Sequence, residues 1–184
     1  MRKLIETFKN SCKKRKIRFE QLSDNTLRTG FIGDNGNFDS YVDIYEDIGQ
    51  ITVRTISPIK APRNKWLQVA EITTLANAKV RYGSFELSDI TGHFAFKTNI
   101  MLGSAELHED IVEHLIYANW LHIDRYFPAI SAVIFGNDSP KEAIDGLNNP
   151  KDVIKKSSKV EEFNLKPDNI SKILRGRLEG LSNN

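Results

Sequence analysis

Residues 38–45 alternate without a break: Phe38, Ser40, Val42 and Ile44 fall on one side, and Asp39, Tyr41, Asp43 and Tyr45 on the other. A period of two is that of a strand buried on one face, here with a polar and aromatic outer face. Strand-like runs at 27–32 and 51–57 flank it. Asp34-Asn35-Gly36-Asn37 and Asp47-Ile48-Gly49-Gln50 separate the runs, and the first is a strong turn signal because Asn and Gly tolerate positive φ. The three runs predict an antiparallel meander, with 17–22 as a first strand or an extended lead-in. A second, shorter hairpin is predicted from 84–87 and 92–102, turning at Ser88-Asp89-Ile90-Thr91-Gly92.

Elsewhere the period changes to that of a helix. Leu4, Ile5 and Phe8, with Cys12 four positions on, predict a first helix over 3–14. Pro58 and Pro62 are expected to end a strand and open a second helix over 63–79. Trp66, Val69, Ala70, Thr73 and Ala76 or Asn77 supply its face, widened by Leu67 and Leu75. A third long helix is predicted from Leu107 to about Tyr126, after which Pro128 opens a separate apolar helix ending at Gly136. Ser139 and Pro140 suit the N-cap and first position of one more short helix.

Beyond Leu147 the composition turns to Asn, Lys, Ser and Glu. The chain therefore reads as one α+β domain over 1–147, a polar linker over 148–166, and a short amphipathic helix over 167–184 carrying Ile170, Ile173, Leu174, Leu178 and Leu181. The 184 residues suffice for one core without disulfide or metal, and 40% hydrophobic with 27% charged residues is ordinary for a globular chain.

Net charge is only +2, from 26 Lys and Arg against 24 Asp and Glu, so whole-chain charge argues neither for nor against nucleic acid. Its distribution is uneven: between Arg2 and Arg18 stand eight cations against Glu6 alone. Such a cluster could touch phosphates, anionic lipid heads or an acidic protein, but it reads first as the solvated face and C-terminal end of a helix, where cations meet the dipole. The single cysteine, Cys12, excludes an internal disulfide. It reads as a surface or half-buried thiol whose neighbouring lysines lower its pKa a little. No apolar run is long enough to span a bilayer, and a cytoplasmic location with no membrane insertion is the expectation.

His108-Glu109-Asp110 with Glu113-His114 is the cluster closest to chemistry. Asp110 and His114 are four apart on one helical face, a spacing that suits two ligands of a divalent metal. Both metalloprotease patterns are missed by one residue: His-Glu-x-x-His needs a histidine where Val112 stands, and the inverted form needs one where Asp110 stands. His122 lies eight beyond His114, and a third ligand has no candidate. No glycine-rich phosphate loop or nucleophile elbow is present. Tyr41 and Tyr45 could stack bases beside the basic segment or serve a protein interface. No catalytic, cofactor-binding or metal residue is assigned.

The stretch from Leu75 to Thr98 carries a family pattern: an Asn-containing helix end, then Gly83-Ser84-Phe85-Glu86-Leu87, then Asp89-Ile90-Thr91-Gly92, then the alternating strand from His93. It resembles the YbjN family of bacterial domains, labelled as sensory-transduction regulators, and the likeness extends over about 17–147. The resemblance implies a fold like that of type III secretion chaperones, a twisted antiparallel sheet flanked by helices, and with it dimerisation and binding of an extended protein partner. It implies no catalytic motif.

The reading is then a non-catalytic protein-binding module, chaperone-like or regulatory, forming a homodimer. An alternative is nucleic-acid association through Lys13, Lys14, Arg15 and Lys16, with Arg175 and Arg177. A third reading is a metal-dependent enzyme at Asp110 and His114. Packing of the C-terminal stripe on its own domain and insertion into another chain are both open.

Overall fold

A computed structural model describes residues 4–103 and 105–147. The predicted linker and C-terminal helix lie outside the described residues. The strands β1 (Glu20–Gln21), β2 (Thr26–Ile32), β3 (Asn37–Tyr45), β4 (Gln50–Lys60), β5 (Ser84–Leu87) and β6 (His93–Met101) form one antiparallel sheet in the order β1-β2-β3-β4-β6-β5. The meander and the second hairpin thus join through β4 and β6, with Val53 opposite Thr98 and Thr55 opposite Phe96. Helices α1 (Leu4–Lys14), α2 (Trp66–Asn77), α3 (Glu109–Phe135) and α4 (Pro140–Gly146) complete the described chain. The fold is the α+β class the periodicities predict.

The alternation in β3 is realised as read: Phe38, Ser40, Val42 and Ile44 are buried, and Asp39, Tyr41 and Asp43 are half-buried on the other side. On the inner face, β4 and β6 meet α3, whose buried row runs from Val112 through Leu115, Ile116, Trp120 and Ile123 to Ile130 and Val133. Phe31 stacks between Phe38 and Trp120, at ring separations of 5.1 and 4.8 Å. Such contacts add to the area term that dominates the stability of this layer.

Hydroxyls interrupt that apolar face, three of them with no exposed surface. Ser40, Thr55 and Thr98 are completely buried. Ser40 Oγ and Thr55 Oγ1 lie 2.7 Å apart, and Trp120 Nε1 donates to Ser40 Oγ at 2.8 Å. Thr98 donates to the Leu115 carbonyl at 2.8 Å. Asn119 Nδ2 donates to the carbonyls of Val53 and Phe96 at 2.9 and 3.0 Å and approaches Thr98 Oγ1 at 3.2 Å. Carbonyls only accept, so this set fixes the amide orientation. It leaves Asn119 Oδ1 buried without a partner.

Five expectations need correction. α3 does not stop at Tyr126; it runs through Pro128 to Phe135. Proline removes one helical N–H and frees the carbonyl four residues earlier, and Asn35 Nδ2 donates to that Asp124 carbonyl at 3.0 Å. The lost bond is replaced from the β2–β3 turn, so the helix continues. The turn itself sits where expected but uses no positive φ at Asn35 or Gly36. It is held instead by the Asp124 carboxylate, which accepts from the Asp34 and Asn35 N–H groups at 3.1 and 2.8 Å. A Cβ at Gly33 would lie 2.2 Å from Asp124 Oδ1, so the close approach requires glycine.

β4 does not end at Ser57 but continues through Pro58 to Lys60, with a register irregularity between Ile56 and Lys60. A proline cannot donate to the ladder, and a bulge is where a sheet tolerates one. In α2 the buried residues are Val69, Ile72, Thr73 and Ala76, while Leu67 is 87% exposed. A short 3₁₀ turn over Arg63–Lys65 delays the start of the helix, and the contacts with β5, α3 and α4 select the face that includes Ile72. Cys12 is fully buried rather than at the surface, and burial pushes its pKa up to about 12, against any effect of the lysines.

Asn119→Ala would leave the two carbonyls without their extra donor and open a void beside Thr98. The expected cost is about 2–4 kcal/mol, against about 1 kcal/mol for Ser139→Ala, which removes the α4 capping box. Urea unfolding midpoints of the two variants check the order.

Candidate interaction surface on the open sheet face

The helical layer contacts the sheet through α3 on β4 and β6 and through α2 on β5, and α1 packs on α3. The opposite face of the sheet carries the outward row of each strand. Register sets Arg28, Tyr41, Arg54, Lys97 and Ser84 side by side, and next to them Gly30, Asp39, Ile56, Ala95 and Glu86. Tyr41 and Arg54 of the first row and Asp39, Ile56, Ala95 and Glu86 of the second floor a hollow of about 620 Å³. One wall is the irregular stretch of β4 at Ser57 and Pro58, and the other is the β5–β6 turn with Ser88 and Thr91.

The charges on this face pair across strands. Arg28 reaches Asp39 at 3.3 Å and Glu20 at 3.9 Å. Arg54 Nε donates to Glu86 Oε2 at 3.2 Å, and Lys97 pairs with the other carboxylate oxygen. Burial alone would raise Glu86, but the hydrogen bonds and charges of Lys97 and Arg54 outweigh it and hold the carboxyl below its ordinary range. Between the pairs, Tyr41, Ile56 and Ala95 leave an apolar strip.

His93 organises the wall. Its Nδ1 lies 2.9 Å from the Ser57 carbonyl and 3.2 Å from that of Ile59. Both are acceptors, so Nδ1 carries a proton. Ser57 Oγ donates to the same Ile59 carbonyl at 2.6 Å. The irregular backbone around Pro58 is therefore tied down rather than loose. On the far side Gly83 has φ +84°, and a Cβ there would approach the Lys97 carbonyl to 2.6 Å, so the edge strand β5 can begin only with glycine before it. Asn77 closes the same junction, donating to the Phe85 carbonyl and accepting from its N–H at 3.1 and 2.6 Å. The glycine and asparagine of the family pattern are thus structural.

The other candidates fall elsewhere. His114 Nδ1 is 2.6 Å from the Asp110 carbonyl, while Asp110 Oδ1 accepts from the Ile111 N–H at 3.0 Å. The pair is occupied with its own helix and the two side chains are not brought together on a common point. Glu109 and Glu113 pair with Lys14 and Arg15. His122 stacks on Phe96 at 4.9 Å and turns Nδ1 to the Ala118 carbonyl. Among the described residues no group of three or more His, Cys, Asp or Glu is placed to hold a metal ion, and no helix is long and apolar enough to cross a membrane. Lys14 and Arg15 are in ion pairs with α3, which reduces what the basic segment offers a phosphate chain. Arg175 and Arg177 lie outside the described residues. Tyr41 belongs to the hollow, whereas Tyr45 stands at the end of β3, 42% exposed. The outer row of β3 was legible as a polar–aromatic face. Arg54, Glu86 and His93 were not, because only register brings three strands together there.

A model of the YbjN family, described as "Putative bacterial sensory transduction regulator", matches residues 5–132. The match takes in most of α1, outside the stretch on which the sequence resemblance rests, and stops short of α4. The crystal structure of YbjN from E. coli, described as "a putative transcription regulator", superposes with a TM-score of 0.51 over 70% of this chain and 90% of that chain. Sequence identity is 11%, so this likeness shows the fold. No curated protein sequence matches.

The lowered Glu86 pKa has a defined sign. Stability from this carboxylate is present above its ordinary value of 4.5 and is lost as pH falls through the lower, folded value. In Glu86→Gln the acid limb of a stability–pH curve should be shallower below pH 4.5. At neutral pH the change should stay under about 1 kcal/mol, because the paired side chains are about a third exposed. Urea titrations at a series of pH values read both.

Proposed function

Because the chain belongs to the YbjN family, we propose that it is a non-catalytic regulatory module that holds a protein partner on the open face of its sheet. The observation that carries this reading is the hollow of about 620 Å³ with an apolar strip between paired charges. An apolar centre rimmed by polar groups is the usual anatomy of a protein contact surface. Tyr and Arg, here Tyr41 and Arg54, are the residue types that most often anchor one. The chaperone-like form of the reading, with the partner held extended, draws support from the short edge strand β5 beside the hollow, since an added strand supplies main-chain hydrogen bonds. Cytoplasmic residence belongs to the same reading.

A homodimer through this face is its narrowest form. Glu20, Asp39 and Glu86 balance Arg28, Arg54 and Lys97 in the ion pairs, so these groups add no net charge that would repel a second copy. Light scattering at high concentration tests this part, and a strict monomer removes it.

The broader reading is tested by a photoreactive amino acid at Ile56, compared with one at Leu67 on the solvent side of α2. Protein adducts in the producing organism are expected from Ile56 and not from Leu67. Ile56→Asp should weaken recovery of the same partner at least about tenfold, the loss of a buried interface anchor. Adducts to nucleic acid, or equal protein adducts from both positions, would overturn the assignment.

A further inference from the structure

The face of α3 turned away from the sheet is not uniformly polar. Leu121, Pro128, Ala132 and Phe135 recur at intervals of seven, four and three, the spacing of a helix-packing seam. Leu121 is 58% and Phe135 71% exposed. Charge within this row is confined to Arg125, between Leu121 and Pro128. An apolar row of this spacing on the solvent side of a helix lacks its second half among the described residues.

The sequence holds a matching half. Ile170, Ile173, Leu174, Leu178 and Leu181 form an apolar stripe at helical spacing, with Lys172, Arg175, Arg177 and Glu179 between them. At 1.5 Å per residue the stripe would span roughly 17 Å and the α3 row roughly 21 Å. So short a helix is marginal in water unless it docks. The described residues end at Leu147, directly after α4, which packs on both α2 and α3. A coil of the length of 148–169 has an end-to-end distance of roughly 25 Å, enough to reach the row from there. Tethering at that reach gives an effective concentration in the millimolar range, far above that of a second copy. The hollow on the open sheet face is the poorer seat for this stripe, because paired charges frame it.

We propose that residues 170–181 dock as an amphipathic helix along Leu121, Pro128, Ala132 and Phe135 of the same chain. The docked segment would form a second helical layer over α3 and leave the open sheet face free, independently of which partner that face holds.

The test uses the full chain with Ser182→Cys carrying a nitroxide label. Cys12 is buried with a pKa of about 12 and stays unlabelled. The methyl signals of Leu121 and Ala132 should lose most of their intensity, and those of Ile56 should not. A mixture of labelled chains with isotope-enriched unlabelled chains separates contact within one molecule from contact between two. Leu174→Glu with Leu178→Glu should restore the signals while the rest of the spectrum is unchanged. Unchanged signals at Leu121 and Ala132, loss at Ile56, loss seen only in the mixture, or no recovery in the double variant would each overturn the proposal.

Discussion

Ser40, Thr55 and Thr98 place three hydroxyls at the centre of an otherwise apolar sheet face, where unpartnered groups would cost several kcal/mol. Ser40 and Thr55 partner each other, and α3 supplies the remaining partners. Trp120 Nε1 must meet Ser40, Asn119 must meet the β4 and β6 carbonyls beside Thr98, and the Leu115 carbonyl must accept from Thr98. Apolar packing alone tolerates a range of helix positions, whereas these bonds with their short geometric tolerance do not. α3 is thereby set over β4 and β6, and the remaining helices arrange themselves around it.

A second tie fixes α3 at another point. Pro128 frees the Asp124 carbonyl, Asn35 takes it up, and the Asp124 carboxylate holds the backbone of the β2–β3 turn. The same residue therefore lets a proline stand inside a long helix and anchors the far corner of the meander. Both ties are made on the inner face, and among the described residues the helices contact the sheet on that side. Side chains of the outer rows pair with one another across strands and floor a hollow whose β4 wall is fixed by His93. The open face is the counterpart of how firmly the inner face is closed, and a rigid face loses little entropy when a partner binds.

Much of this was legible in the residues. The alternation of 38–45, the two hairpins and the helical stripes gave the α+β class, and the Gly83 to Gly92 pattern gave the family. Ser40 was legible as an inward-facing hydroxyl, but its partner Trp120 is eighty residues away and no local pattern joins them. Pro128 read as a helix boundary because the sequence does not show that a distant asparagine replaces the lost bond. Pro58 read as a strand end for the same reason: a bulge is defined by the partner strand. Cys12 read as a surface or half-buried thiol because its lysine neighbours are exposed, while the thiol itself is buried. In each case local propensity was overridden by a contact made at long range, and the surface hollow, built from four strands, is entirely of that kind.

The central claim is that the face opposite α3 is where the chain meets its partner. Carbene footprinting of the full chain, alone and in extract of the producing organism, measures this on side chains directly. The account predicts protection of Tyr41 and Ile56 in extract, with Leu67 labelled equally in both. Protection confined to α2 and α1, with the sheet labelled equally in both, would contradict it.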